Sequence, residues 1–308
     1  MLIHVDDILY AGNLEFMDKI IKPLSSVFSI GTQHTQCFTY IGLNLRQLDD
    51  KSIVLDQNNF AETLQKIPVS LSRDQSEPVT DKERKLLRAA VGQLNWLAGI
   101  SRPDLSFDVC QLSTRISQAT IRDLIDANKV IRRAKQDQYY VTFSPFNLKT
   151  LEILAYWDAS FKNLPRGGSQ GGNIIFLTDG SKSCPLQWSS TRIKRVVRST
   201  IAAEALALAD TCANTTYLAA LVSSVLEFTV GKNIPVEVIT DNQSLFDSIH
   251  SVKPVSEQEL RLDISAIREK KNQNRVRVSW LPTKSNVLTE RGATSATLAS
   301  ALSFRYIK

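Results

Sequence analysis

The sequence is short of the residues that build small or irregular folds. Its 12 glycines and 10 prolines are scattered over 308 positions, which excludes a collagen-like or broadly disordered chain. The four cysteines, Cys37, Cys110, Cys184 and Cys212, lie far apart and form no C-x-x-C pair. That excludes a zinc site or a disulfide framework and predicts reduced, buried thiols in an intracellular protein. The three histidines, His4, His34 and His250, show no ligand spacing, so none is given a role. No secretory signal is visible, because Met1 leads straight into a strand-like run with two adjacent aspartates. The best apolar stretch, Tyr217 to Val230, is too short for a bilayer and is broken by Glu227. Internal repeats and low-complexity tracts are absent. The expectation is a soluble protein of the cytoplasm or nucleus, neither secreted nor membrane-bound.

What is present is ordinary globular material, 43% hydrophobic and 22% charged, enough for two cores. The formal charge of +6 and pI near 9.1 suit a polyanionic partner. Residues 1 to about 145 begin as strand–turn–strand around Asp6 and Asp7. An amphipathic helix follows, with Leu14, Met17, Ile21, Leu24 and Phe28 at helical spacing. Cys37 to Leu48 alternates like one half-buried strand, with Ser52 to Leu55 as its hairpin partner. Three helices come next. The first opens on the capping box Thr80-Asp81-Lys82-Glu83 and stops before Pro103. The others cover about 105–118 and 121–137, and 144–150 reads as a linker.

The second half changes character. A strand from Leu151 to Trp157 precedes a Gly-rich loop, and two further strands, Asn173 to Leu177 and Pro185 to Trp188, meet at Asp179-Gly180. An Ala-rich helix starts near Ser199 or Thr200. A strand at 235–240, helices near 243–250 and 257–272, a strand at 275–280 and a helix after about 286 complete an α/β plan. Acids sit at the junctions: Asp158 at the end of the first strand, Glu204 in the helix and Asp241 closing a later strand. Carboxylates gathered from separate strand and helix ends are how a nuclease holds two hard cations against a phosphate. Taken singly, each acid would be an ordinary turn or solvated helix residue.

Four segments in order carry a resemblance: Trp157-Asp158-Ala159-Ser160-Phe161, Gln170 to Leu177, Ser199 to Glu204, and Thr240 to Leu245. Together they resemble the RNase H domain that ends the polyprotein of copia-type retrotransposons. The resemblance implies a mixed sheet flanked by helices over 151–308, and hydrolysis of the RNA strand of RNA–DNA hybrids. It implies Mg²⁺ as cofactor, with Mn²⁺ able to replace it. Asp158 would bridge both ions, Glu204 would hold one and help place the attacking water, and Asp241 would hold the other. The fourth acid of the family falls on Asn286, and Glu290 stands where lysine is usual. An amide can ligate but brings no charge, which predicts weakened cleavage or, as the alternative, an inactive remnant that at most binds nucleic acid.

His4 to Gly12, containing Asp6 and Asp7, is similar to the palm hairpin of reverse transcriptases. Phe38 to Leu43, Val91 to Ala98 and Ser101 to Asp108 fit the same parent, so the resemblance covers nearly the whole chain. It implies that 1–145 is a truncated palm with a thumb or connection region. The further acid and the fingers would precede Met1, so polymerisation by this chain alone is not expected, and Asp6 and Asp7 would be vestigial metal ligands. The missing polymerase half or other Pol products would be partners. Three basic clusters complete the reading: Lys129, Arg132, Arg133 and Lys135; Arg192, Lys194, Arg195 and Arg198; and Arg268, Lys270, Lys271, Arg275 and Arg277. The middle one, just before the Glu204 helix, is the expected phosphate-backbone contact. The last is expected to be a solvated helix face. Trp157, Trp188 and Trp280, each in a predicted strand, are expected in the core.

Overall fold

A computed structural model describes residues 1–28, 31–70, 72–164, 167–230, 233–253 and 260–282. It opens with an antiparallel pair, β1 (Leu2–His4) and β2 (Asp7–Leu9). The amphipathic segment then forms α1 (Leu14–Phe16), a π-helical turn (Met17–Ile21) and α2 (Lys22–Val27). Its apolar stripe is only lightly covered: Ile21 is buried, while Leu14 and Phe28 face solvent.

The stretch read as one strand is a hairpin, β3 (Cys37–Tyr40) and β4 (Leu43–Gln47). Ile41 and Gly42 both have positive φ, 49° and 74°, which is the backbone of a type I′ turn. A β-branched residue rarely adopts that conformation, so period-2 alternation hid the turn. Strands β5 (Ile53–Asp56) and β6 (Val141–Phe143) complete a four-stranded antiparallel sheet. The short helix α3 (Asn58–Thr63), which follows β5, had no counterpart in the sequence reading. β6 had no counterpart in the sequence reading; it ends at Phe143, which pairs with Ile53, just before the linker expected over 144–150.

Three helices pack beside this sheet: α4 (Asp81–Ile100), α5 (Ser106–Arg115) and α6 (Ile121–Gln136). Thr80 and Glu83 close the expected capping box on α4. Leu87, Leu94, Leu97, Leu105, Leu124 and Ile131 fill the space between them. The buried Arg102 guanidinium is satisfied by Asp104 and by the carbonyls of Ala134 and Asp137. A buried charge survives only with such partners.

The second sheet has the order β11-β10-β7-β8-β9. Strands β7 (Glu152–Leu164), β8 (Gly168–Thr178) and β9 (Ser183–Arg192) are antiparallel. Strands β10 (Val236–Thr240) and β11 (Arg277–Trp280) run parallel to β7. This is the α/β (α+β) mixed sheet with flanking helices that was expected. Helices α7 (Thr200–Val230), α8 (Gln243–His250) and α9 (Arg261–Asn272) form its helical layer. Ile153, Ala155 and Trp157 project from β7 into that layer against Ala205, Leu208 and Cys212 of α7. Trp157 is fully buried, and its truncation to Ala should cost about 3–5 kcal/mol.

Several boundaries differ from the sequence reading. β7 continues past Asp158 to Leu164, so Asp158 lies within a strand, paired with Gly172. Gly168, Gly171 and Gly172 belong to β8 and not to a loop. A side chain at Gly171 would put its Cβ 3.3 Å from the Ala207 Cβ, so the glycine lets α7 approach the sheet. The apolar stretch also extends further than 217–230. Thr200–Leu226 is long and apolar enough to cross a membrane by length and composition, yet its inner face is the core just described. Of the cysteines, Cys184 and Cys212 are buried as expected; Cys110 is half-buried and Cys37 is exposed on β3. The expected helix after 286 lies outside the described residues.

Candidate active site

Three elements carry three acids that influence one another electrostatically. Asp158 sits on β7, where its Oδ1 accepts the Ala159 backbone N–H at 2.8 Å. Glu204 lies in the first turns of α7, whose start is capped by Ser199 Oγ accepting from the Ala202 N–H at 3.2 Å. Asp241 follows β10. Its position is fixed from three sides. Trp280 Nε1 donates to the Asp241 carbonyl at 3.2 Å, the Leu281 N–H to the Thr240 carbonyl at 2.9 Å, and Asn242 Oδ1 caps α8 by accepting the Leu245 N–H at 2.9 Å.

The electrostatics show that these groups feel one another. Burial pushes the Asp158 carboxyl up to about 6, and the Asp241 charge adds to the rise. Burial pushes Glu204 up to about 9, with the charges of Asp158 and Asp241 reinforcing it and the Ala159 N–H opposing. Like charges in a shared, poorly solvated site disfavour one another's ionised forms. Glu204 is only 6% exposed, which overturns its reading as a solvated helix residue. Its Oε2 is buried without a hydrogen-bond partner. Among the described residues no three of His, Cys, Asp and Glu are drawn close enough to form a finished metal cage. The set is nevertheless chemically suited to hard divalent cations: oxygen donors only, mutually repelling, with one orphaned carboxylate oxygen.

Other expected site residues fare differently. Asp6 lies in the β1–β2 turn and Asp7 opens β2; both are exposed, and neither perturbs Asp158 or Glu204. Asn286 and Glu290 lie outside the described residues. Arg192 ends β9, and Lys194, Arg195 and Arg198 follow before α7, all exposed. Arg195 pairs with Asp263 of α9 at 3.1 Å. In the 129–135 cluster, Arg133 binds the Asp104 carbonyl and Asp108, and Lys135 binds the Leu64 carbonyl. In the 268–277 cluster, Arg268 binds two carbonyls, Lys270 reaches the Cys212 carbonyl and Arg277 pairs with Glu237. These cations tie elements together. Trp188 and Trp280 are not core residues as expected: Trp188 is half-buried, and Trp280 is 39% exposed at the sheet edge.

Sequence reasoning missed a polar bridge between the α4–α6 helices and the second sheet. Gln111 Nε2 donates to Gln170 Oε1 at 3.1 Å, and Gln170 Nε2 donates to Ser190 Oγ at 2.6 Å. Trp188 Nε1 donates to the Ala98 carbonyl at 2.6 Å. No local pattern signals contacts between residues 59 to 90 positions apart.

The chain is 27% identical over 239 residues to the retrovirus-related Pol polyprotein of transposon RE1 from Arabidopsis thaliana. It is 29% identical over 238 residues to that of transposon RE2 from the same plant. In both cases the match takes in 72% of this chain and 16% of the polyprotein, so the chain spans a small part of these relatives' length. No family model matches. Among solved structures, LC11-RNase H1 in complex with an RNA/DNA hybrid aligns at 20% identity with a TM-score of 0.34, covering 49% of this chain and 99% of that one.

Proposed function

We propose that this chain hydrolyses the RNA strand of RNA–DNA hybrids with divalent metal ions, Mg²⁺ or Mn²⁺, held by Asp158, Glu204 and Asp241. The observation that carries the reading is Glu204: a buried carboxylate with an orphaned oxygen, within the electrostatic influence of two more acids. Such a group is costly to ionise alone and is relieved by a cation at the same spot. Bound ions would supply Lewis acidity to the scissile phosphate.

The chain's own residues do the rest. Asp158 reaches the site from the sheet and is oriented by the Ala159 N–H. Asp241 is set by the β10–α8 junction, and Glu204 is set by the capped start of α7. Asn286 would take the fourth position, as the resemblance implies, and as an amide it would leave that position without charge. Lys194 and Arg192 attract the phosphate backbone without reading bases. Discrimination of RNA rests on its 2′-hydroxyls and on hybrid shape.

The test is cleavage of a labelled RNA–DNA hybrid by the full chain in Mg²⁺ and in Mn²⁺, beside Asp158→Asn. Cleavage by the parent that disappears in the variant supports the site, and an unchanged rate removes it. Folded parent that binds hybrid and never cleaves it supports the second reading, favoured by Asn286: an inactive remnant.

A further inference from the structure

A groove of about 320 Å³ runs between α4–α5 and β9, on the sheet face opposite α7. The helical wall offers Asn95, Ser113 and Thr114, and the strand wall offers Ser190, Thr191 and Arg192. Trp188 and Ala98, joined by their hydrogen bond, make a carbon-rich floor. No carboxylate lines it. Arg192 is exposed and has no ion pair among the described residues, its guanidinium lying over the bare Cα of Gly168. The surface is thus apolar below, with the Arg192 cation and several hydroxyls at the rim, of which Ser113 Oγ and Thr114 Oγ1 donate to the Cys110 and Gln111 carbonyls.

The sheet register connects this groove to the acids. Asp158 pairs with Gly172, and Gly172 pairs with Ser190. Cross-strand partners share a face, so the three form one line across β7, β8 and β9. The rows on either side carry side chains at the middle strand, Ile174 between Tyr156 and Trp188, and Gln170 between Ser160 and Arg192. Only the middle row has a glycine there, which leaves a shallow trough from Ser190 to Asp158. Two strand spacings make its length about 10 Å. At about 3.4 Å of rise per nucleotide that is roughly three nucleotides.

We propose that the groove seats the sugar–phosphate backbone of a nucleic-acid strand about three nucleotides from the bond presented to Asp158, deepening the hybrid-cleaving reading on which it rests. Sugar carbons lie on the Trp188–Ala98 floor. Phosphate oxygens accept from Arg192 and from the Ser190 hydroxyl, and from Ser113 and Thr114 once their hydroxyls turn away from the Cys110 and Gln111 carbonyls. The α4–α6 helices are then part of the substrate platform, and the Gln111–Gln170 and Trp188–Ala98 bonds hold its two walls in register.

The test uses the full chain with a fluorescent RNA–DNA hybrid and measures binding anisotropy against salt, with Arg192→Gln, Ser113→Glu and a Ser113→Ala control. Ser113 is exposed on α5, so its replacement by Glu leaves the core intact. Ser113→Glu is expected to weaken binding at least tenfold, and Arg192→Gln to lower the salt slope by about one, with Ser113→Ala nearly silent. A hybrid carrying a pyridyl-disulfide tether on one phosphate is expected to exchange with the thiol of Cys110, which lines the groove, forming a mixed disulfide and releasing pyridine-2-thione, and the cross-link mapped to position 110 is lost in Cys110→Ser. Parental binding and slope in both charged variants, with no cross-link to Cys110, overturn the groove while leaving cleavage at Asp158 standing. Absence of hybrid binding by the parent overturns both.

Discussion

Asp158 and Glu204 share one backbone donor, the Ala159 N–H. It lies 2.8 Å from Asp158 Oδ1 and also opposes the rise of Glu204, while Glu204 Oε2 has no partner at all. One donor between two buried acids leaves a deficit of positive charge. The pH behaviour of the protein follows from that deficit.

Glu204 is raised to about 9 from an ordinary value near 4.5. Between those values the folded protein binds a proton that the unfolded chain has released, so stability falls as pH rises. Below about 4.5 the penalty is absent, and above about 9 it is fully developed. At pH 7 it is on the order of 3 kcal/mol. Glu204→Gln should therefore raise the melting temperature at pH 8 in metal-free buffer and flatten its fall between pH 5 and 9, while abolishing cleavage. Thermal unfolding across that range checks it; equal pH slopes for parent and variant count against the assignment.

Mg²⁺ should stabilise the folded chain, and more so at pH 8 than at pH 6, because ions bind the deprotonated carboxylates and release protons. Asp158→Asn should lose most of that shift. Melting temperatures at several Mg²⁺ concentrations and two pH values read the effect. A shift of the same size in the variant would place the ion elsewhere.

In the proposed site, Asn286→Asp would supply the charge that an amide lacks at the fourth position. Cleavage should accelerate, or the Mg²⁺ concentration for half-maximal rate should drop several-fold. An unchanged titration would mean that Asn286 is not the fourth ligand.

Much of this was legible in the chain, and what escaped has physical reasons. The capping box marked the start of α4, because caps are local hydrogen bonds between near neighbours, whereas the same role of Asn242 at α8 went unread. Four spaced segments carried the expectation that Asp158, Glu204 and Asp241 share a site; the structure puts them within β7, in the first turns of α7 and after β10. β8 was misjudged because glycine reads as loop, and nothing local reveals that Gly171 faces a helix. β6 was missed because its strand character depends on pairing with β5, nearly 90 residues earlier. The basic clusters misled in part: Arg133, Arg268 and Arg277 are spent on carbonyls and acids that only the fold brings near.

Cations left outside such pairs should dominate nucleic-acid binding. Lys194→Ala should lower the slope of log affinity against log salt by about one. Arg195→Ala should lower it by less, because Arg195 already pairs with Asp263. Anisotropy titrations at four salt concentrations separate the two. A larger loss from Arg195→Ala would show that its ion pair opens on binding.

Gly171 is the point where structure and chemistry meet. A Cβ there would lie 3.3 Å from the Ala207 side chain, tighter than most carbon contacts, and Ala207 is three residues after Glu204 on α7. A branched side chain would lever the helix away from β8 and carry Glu204 with it. Gly171→Val should cost about 1–3 kcal/mol by overpacking, read by urea unfolding. It should also reduce cleavage by more than that loss of folded protein explains, because Glu204 would retreat from Asp158. Gly172→Ala separates the two effects. A Cβ there meets only the Ser189 carbonyl, at 3.4 Å, and not the helix. It should leave the pH dependence set by Glu204 as it is in the parent. If Gly171→Val also kept that dependence and its full rate per folded molecule, the spacing of α7 from the sheet would not be what places Glu204.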